Sequence, residues 1–171
     1  MTLSMKEIRA EVLESGGKTP LLRVKELGER FPNSVALRNK EFGIWNEISY
    51  SEFWNRCTYV ASALINFGVN KGDKVAVHSE NRPEWFISDL GIQAAGAVTV
   101  GLYPTNPKSE VEYLLGHSET VILFAEDQEQ VDKALAVLEN LPSLKKIVYF
   151  DDKGMYKYDS DYLISFEEFV K

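Results

Sequence analysis

Residues 71–106, KGDKVAVHSENRPEWFISDLGIQAAGAVTVGLYPTN, have the pattern of a turn, a strand, a helix and a second strand in succession. Gly72 allows the positive φ of a tight turn, and a short β-branched strand is expected over Lys74–His78. Pro83 suits the first helical position, because its φ is preset and its missing N–H would be unpaired there. Gly96 ends that helix, and residues 97–102 are almost wholly apolar. The stretch therefore predicts one βαβ unit.

The apolar character of these two segments predicts how they are buried. Apolar residues recur near helical spacing in the helix, at Trp85, Phe86, Ile87, Leu90, Ala94 and Ala95. The strand at 97–102 carries almost no polar side chain, and strands of this kind are usually covered on both faces, as in parallel sheets. We therefore expect a parallel sheet with a covered strand at 97–102.

Length and composition limit the classes of protein to consider. A chain of 171 residues suits one domain, and its 44% apolar and 26% charged residues are ordinary for a soluble globular protein. The net charge is −7 with no basic run, so nucleic acid is not an expected partner. The single cysteine excludes an internal disulfide and is compatible with a reducing cytoplasm. No apolar run approaches the ~20 residues that span a bilayer.

The pattern along the chain predicts a single α/β domain, with a doubly wound, mainly parallel sheet and helices on both faces. We divide it into a helical arm at 1–33, a hairpin at 34–48, a βαβ core at 49–150 and a truncated tail at 151–171. In the arm, a loose helix is expected to end at Gly16-Gly17, and a second helix to stop before Pro32.

Helix and strand signals alternate through the core. Ser49 and Glu52 form a capping box, followed by an amphipathic helix with an inward face of Phe53, Cys57, Val60, Ala61 and Leu64. Asn106 is expected to cap a helix that has Pro107 in its first turn and Val111, Leu114 and Leu115 inward. A strand at 120–125, a helix capped by Asp127 with Val131, Ala134, Leu135 and Leu138 inward, and a strand at 146–150 complete the alternation.

The tail carries a second capping box, Ser165 and Glu168, with only three residues after it. An isolated turn is unstable because helix nucleation is costly. The pattern favours a chain that is one piece of a longer polypeptide. The alternative is a terminal turn docked by Phe166 and Phe169.

Few residues have the spacing of a complete catalytic site. Gly17-Lys18-Thr19 resembles the end of a phosphate-binding P-loop, but Val12 stands where that motif needs glycine, and no G-x-G-x-x-G occurs. His78 follows a strand and is interpreted as a packing residue, and Cys57 as a core thiol. Asp151-Asp152 is interpreted as a solvated turn, and no metal site is predicted. Four aromatic residues are either pocket-lining or core: Tyr50, Trp54, Trp85 and Tyr103.

Tyr103-Pro104-Thr105 is the strongest candidate for a binding segment. It lies where an apolar strand leaves the sheet, and ligands of α/β proteins bind in the crevice at the carboxyl ends of the strands. The alternative is that these three residues make only a rigid turn into the next helix.

Several motifs in order resemble the AMP-forming adenylating enzymes. They are LINFGV at 64–69 followed by KGDKVAV at 71–77, and Trp45 with ISYSE at 48–52. NRPEW at 81–85 and AGAVTV at 95–100, running into LYPT at 102–105, resemble the long-chain fatty acid–CoA ligase branch. Gly101 stands where many relatives have proline. The likeness covers residues 22–150.

The resemblance implies a two-step reaction. ATP and a fatty acid give an acyl-adenylate and pyrophosphate, and the thiol of CoA then displaces AMP. The family uses Mg²⁺, a Ser/Thr/Gly-rich phosphate loop and a lysine on a mobile C-terminal domain, and none of these motifs occurs in this sequence. We therefore expect an N-terminal fragment that is inactive alone, contains no catalytic residue and binds none of these cofactors. Tyr103, Pro104 and Thr105 are expected near the acyl crevice.

Two other functions stay open at this point. One is a non-catalytic α/β binding or assembly module, and the other is a different adenylate-forming enzyme, such as a fatty acyl-AMP ligase or a luciferase-like enzyme. We expect the chain to be cytoplasmic, with peripheral membrane contact left open. An incomplete sheet exposes apolar surface and an unpaired edge, so self-association, as a homodimer, is also expected.

Overall fold

A computed structural model describes residues 19–171, and the predicted arm helix before Thr19 lies outside the described residues. The strands are β1 Val35–Glu41, β2 Ile44–Ser49, β3 Lys74–His78, β4 Val98–Leu102, β5 Ile122–Ala125, β6 Lys146–Tyr149 and β7 Leu163–Ser165. The helices are α1 Pro20–Arg30, α2 Tyr50–Asn66, α3 Pro83–Ala94, α4 Lys108–His117, α5 Gln128–Leu135 and α6 Phe166–Phe169. Short 3₁₀ turns cover Leu138–Asn140 and Met155–Lys157.

Five strands form one parallel sheet in the order β4-β3-β5-β6-β7. The chain runs from β3 to its neighbour β4 and then crosses back to β5 on the other side of β3. In the register, Ala76 of β3 lies between Val100 of β4 and Leu123 of β5. The prediction of a doubly wound, mainly parallel α/β sheet is confirmed.

Each face of the sheet is covered by its own set of helices. On the first face, Val75 and Val77 of β3 pack with α1, α2 and α3. On the second face, Ala76 of β3 packs with α4 and α5. Side chains of a strand alternate between faces, so one strand supplies both cores. The predicted inward face of α2, from Phe53 to Leu64, is buried in the first core.

The hairpin forms a separate two-stranded antiparallel sheet. Its turn consists of Phe42 and Gly43, both with positive φ (46° and 84°). Two successive positive φ values match the right-handed twist of hairpin strands, which explains the glycine. β1 extends to Glu41 and β2 begins at Ile44, so only two residues make the turn.

The prediction that residues 97–102 are covered on both faces is wrong. β4 is an edge strand, and Val98 is 51% exposed. The apolar composition suits a central strand, but strand order depends on pairing partners, which local composition does not specify. The predicted inward face of α3 is also partly wrong, because Phe86 and Ala94 are exposed.

The start of α4 differs from the prediction by one residue. Pro107 is the N-cap with extended backbone (ψ 162°), and the helix begins at Lys108. Asn106 does not cap the helix, because its backbone N–H donates to the carbonyl of Tyr103 (2.9 Å) in the preceding turn. Leu138, predicted to lie on α5, belongs to the 3₁₀ turn that follows it.

Residues 151–171 contribute a strand that the sequence analysis missed. β7 pairs with β6 and leads into the single turn of α6, which Ser165 caps by accepting from the N–H of Glu168 (3.2 Å). Phe169 of that turn is buried and stacks on Phe67 (5.0 Å between ring centroids). The turn is stable without a longer helix because it docks, as in the alternative considered above.

Candidate functional site

A cavity of about 330 Å³ lies at the carboxyl ends of β3 and β4. The chain leaves β3 toward α3 on the first face and leaves β4 toward α4 on the second face. The two loops therefore diverge, which is the arrangement that creates ligand crevices in α/β proteins. The lining residues are Ser79, Glu80, Asn81, Trp85, Gly101, Leu102, Tyr103 and Pro104.

The wall formed by residues 79–81 is fixed by Glu126, which follows β5. The Glu126 carboxylate accepts hydrogen bonds from Ser79 Oγ (3.2 Å) and from the backbone N–H of Glu80 (2.7 Å). Arg82 lies 3.6 Å from the same carboxylate. Charge-assisted bonds to a partly buried carboxylate are stronger than neutral ones, so this wall is held to the neighbouring strand.

Arg82 connects this wall to the rest of the sheet edge. Its guanidinium donates to Glu84 (2.7 Å) and lies over the ring of Phe150 (5.6 Å to the centroid). Burial opposes its protonation, but the hydrogen bond to Glu84 and the charges of Glu84 and Glu126 raise the pKa of Arg82. The guanidinium of Arg82 therefore interacts with other side chains of this chain.

The opposite wall, at Tyr103 and Pro104, is held by two side chains from elsewhere in the fold. His78 Nε2 lies 3.1 Å from the Tyr103 carbonyl oxygen. Lys133 Nζ donates to the Pro104 carbonyl oxygen (2.7 Å) and pairs with Glu129 (2.7 Å). Both walls are therefore held in place by residues that do not line the cavity.

His78 is a neutral, buried residue. It is 0% exposed, and burial together with the nearby Lys133 ammonium lowers its pKa to about 4. Its Nδ1 has no hydrogen-bond partner among residues 19–171. It does not line the cavity, so the interpretation of His78 as a packing residue, rather than a ligand, agrees with its position.

The structure brings together part of the predicted binding segment. Tyr103, 78% exposed, and Pro104 line the cavity, whereas Thr105 is exposed outside it. Trp85 lines the cavity as well, but Tyr50 and Trp54 do not. Sequence reasoning missed Ser79, Glu80 and Asn81, although their place directly after a strand was a usable signal.

The other residues considered as catalytic or metal-binding candidates lie in environments that are typical of structural residues. Cys57 is buried, and desolvation raises its pKa to about 12. Asp151 accepts from the backbone N–H of Lys153 (2.9 Å), as in a turn. Within residues 19–171 no three His, Cys, Asp or Glu side chains cluster as metal ligands would. No helix of this part of the chain is both long and apolar enough to cross a membrane.

Comparison with models of known protein families assigns the chain to one of them. Residues 24–166 match the model of the AMP-binding enzymes. The chain belongs to the AMP-binding enzyme family. The match begins in α1 and ends in α6, so it includes both walls of the cavity and the whole parallel sheet.

Individual relatives indicate which branch of the family the chain resembles. The chain is 31% identical over 147 residues to the long-chain-fatty-acid–CoA ligase ACSBG2 of Xenopus laevis, which covers 86% of the chain and 20% of the relative. It is 33% identical over 123 residues to the long-chain-fatty-acid–CoA ligase FadD15 of Mycobacterium tuberculosis, covering 72% and 20%. The resemblance to long-chain fatty acid–CoA ligases is confirmed. The chain spans about a fifth of the length of these relatives.

Solved structures of family members have the same fold. Acetoacetyl-CoA synthetase from Streptomyces lividans superposes with a TM-score of 0.78 at 20% identity, over 88% of this chain and 24% of that one. The anthranilate CoA ligase AuaEII, in complex with anthranoyl-AMP, gives 0.73 at 26% identity, over 86% and 27%. The sheet described above is therefore the fold of a region of adenylate-forming enzymes.

Proposed function

We propose that this chain is the N-terminal part of a long-chain-fatty-acid–CoA ligase. The longer protein would convert a fatty acid and ATP to an acyl-adenylate and pyrophosphate, and then transfer the acyl group to CoA. The support is the family match over residues 24–166 and the similarity to two relatives named for this activity. Each relative is about five times as long as the matched region, so most of the residues that would act on ATP and CoA belong elsewhere in such a protein.

The observation that carries the proposal for this part of the enzyme is the cavity at the ends of β3 and β4. Trp85, Leu102 and Pro104 give it apolar surface, and Ser79 and Asn81 give it hydrogen-bonding groups. A cavity that has both apolar surface and hydrogen-bonding groups, at the carboxyl ends of parallel strands, is a common position for a small-molecule site. We assign Tyr103, Pro104 and Thr105 to the rim of an acyl crevice, where they would exclude water and orient the ligand.

The test compares two proteins: the 171-residue chain and the uninterrupted reading frame that contains it. Each is assayed for ATP–pyrophosphate exchange with palmitate and for palmitoyl-CoA formation. We expect both activities in the longer protein and neither in the chain alone. Robust exchange by the chain alone would contradict the assignment of the reacting groups to other parts of the protein.

The second candidate is an α/β binding module without chemistry. The observation in its favour is that, within the described part of the chain, no histidine, cysteine or lysine lines the cavity, and Ser79 and Glu80 are held in its wall by hydrogen bonds to Glu126. The same assay separates the two functions, because a binding module predicts no turnover by the longer protein. Exchange without acyl-CoA would instead indicate a fatty acyl-AMP ligase or a luciferase-like enzyme.

We also infer two properties of the isolated chain. Self-association, as a homodimer, is supported by the edge of β4, which among residues 19–171 pairs only with β3, and by the exposed apolar side chain of Val98 on that edge. A cytoplasmic location is supported by the single cysteine, which is buried and reduced. Peripheral membrane contact is a further proposal, supported by the water-insoluble substrates of the relatives, and vesicle flotation of the longer protein would test it.

A further inference from the structure

The carbonyl groups of two consecutive residues, Tyr103 and Pro104, are held by side chains from distant elements. His78 lies 25 residues before Tyr103, at the end of β3, and Lys133 lies 29 residues after Pro104, on α5. Asn106 also donates its backbone N–H to the Tyr103 oxygen (2.9 Å). A turn of this kind closes with its own backbone bond, so the two side-chain bonds are additional to what the turn requires.

The bond from His78 determines the state of that side chain. A carbonyl oxygen only accepts, so Nε2 carries the hydrogen and the neutral ring leaves Nδ1 as a bare acceptor. Nδ1 is buried and has no partner in the part of the chain that the structure describes, which destabilises the fold relative to an apolar side chain of the same shape. The bond to Tyr103 is therefore the feature that distinguishes histidine from leucine at this position.

Holding both carbonyls leaves the segment with little torsional freedom. The Tyr103 carbonyl fixes the plane of the peptide before Pro104, and the Pro104 carbonyl fixes the plane after it. The proline ring fixes φ between the two planes. The two held carbonyls also set ψ of Pro104. The backbone at the cavity rim, to which the Tyr103 side chain is attached, therefore has one orientation.

We propose that His78 and Lys133 are positioning residues that hold the main chain at 103–104 and thereby determine which acyl ligands the cavity admits. Neither residue lines the cavity, so both act through Tyr103 and Pro104. The ligand assignment rests on the proposed function, whereas the restraint of the segment does not.

The first experiment measures backbone amide exchange in the 171-residue chain at Asn106, whose N–H donates to the Tyr103 carbonyl. We expect roughly tenfold faster exchange in His78→Leu and in Lys133→Met, because each variant releases one carbonyl of the turn. His78→Gln, whose amide nitrogen can donate in the same direction, should restore exchange to within about twofold of the parent protein. Lys133→Met is independent of any folding defect in His78→Leu, because Lys133 lies on a different element, α5, and its side chain is not fully buried.

The matched controls are His117→Leu and Lys145→Met. His117 is an exposed histidine at the end of α4, and Lys145 also donates to a backbone carbonyl, that of Gly68 (3.5 Å), away from the cavity. Neither control should change exchange at Asn106. Unchanged exchange in both His78→Leu and Lys133→Met, or equal acceleration in the controls, would overturn the restraint.

The second experiment uses the uninterrupted protein and compares palmitate with octanoate. We expect the ratio of kcat/KM for the two acids to change about fivefold or more in Lys133→Met and His78→Leu, through KM for the acid. KM for ATP should stay within about twofold, and His78→Gln should restore the ratio. Faster exchange with an unchanged ratio would overturn the role in selectivity. Absence of turnover in the parent protein would overturn the proposed function, while the exchange result would still decide the restraint.

Discussion

The ring of Phe169 in the last helical turn stacks on the ring of Phe67, which ends α2, with 5.0 Å between centroids and 28° between planes. Phe169 also meets Phe124 of the central strand β5 edge-on at 5.5 Å. A single turn gains little from its own hydrogen bonds, so these aromatic contacts are what hold α6 in place. The end of the described chain is thereby part of the first core.

Replacing Phe169 with alanine tests this docking. Because Phe169 is 3% exposed, we expect Phe169→Ala to lower the free energy of unfolding by about 3 kcal/mol through lost burial and a cavity. Urea unfolding followed by circular dichroism measures the change. Tyr156→Ala, at a residue 84% exposed, is the control and should stay within about 0.5 kcal/mol. Equal stability of the two variants would show that α6 does not contribute to the core.

A second prediction concerns the contact between α2 and α3 at Gly91. A Cβ at this position would lie 2.5 Å from Val60 Cγ1 and 3.0 Å from the Cys57 carbonyl oxygen. We expect Gly91→Ala to destabilise by about 1–3 kcal/mol, in spite of the better helix propensity of alanine. The matched control is Gly116→Ala on α4, where the nearest atom is at 3.8 Å, and it should stabilise by about 0.5 kcal/mol.

The double variant Gly91→Ala with Val60→Ala distinguishes a clash from a general loss of stability. Val60→Ala removes Cγ1, the closest atom at 2.5 Å, and keeps Cβ at 2.6 Å, so it relieves part of the clash. The cost of the pair in the free energy of unfolding should therefore be smaller than the sum of the single costs. Strict additivity would contradict the clash.

A third prediction concerns acid and His78. The pKa of this residue is lowered from 6.5 to about 4 in the folded protein. Below pH 6.5 the unfolded chain binds a proton that the folded protein does not, so stability falls as the pH falls through this window, by at most about 1.4 kcal/mol per pH unit. The contribution is fully present above pH 6.5.

Urea unfolding at pH 7 and pH 5 measures this effect. His78→Leu should lose about 2 kcal/mol less than the parent protein between the two values. His117→Leu, at an exposed histidine, is the matched control. Identical pH dependence in the parent and in His78→Leu would contradict a buried neutral histidine.

A fourth prediction concerns the single thiol. Cys57 is 0% exposed, and burial raises its pKa to about 12, so the thiolate is scarce at neutral pH. We expect Ellman's reagent to react with the folded protein only as fast as it opens, and to react at once in urea. Rapid reaction of the native protein would show that α2 does not pack as described.

A fifth prediction tests self-association through the edge of β4. Val98→Lys places a charge on the open edge and should shift the chain toward monomer in sedimentation velocity runs. Ile65→Lys is the control, because Ile65 is similarly exposed (57% against 51%) but lies on a helix away from the sheet edge. An equal shift in both variants would indicate general hydrophobic association, and a monomeric parent chain would contradict self-association.

The sequence predicted well those features that depend on interactions between neighbouring residues. Ser49, Asp127 and Ser165 each cap the helix expected from their position, because capping depends on a donor two or three residues away. A smaller part of the candidate site followed from reasoning of the same kind. Tyr103 and Pro104 were found because they follow an apolar strand, whereas Ser79 and Asn81 lie across the cavity on a loop whose relation to them depends on strand pairing.

The amino-acid sequence alone determined that this protein alternates strands and helices, forms a parallel sheet and resembles the fatty acid–CoA ligases, because periodicity, caps and motifs are properties of neighbouring residues. Only the tertiary structure decided that β4 lies at the edge, that β7 exists, and that His78 and Lys133 hold Tyr103 and Pro104. These features join residues far apart in the chain. Their energies depend on which elements are in contact, and the local composition of the chain does not specify those contacts.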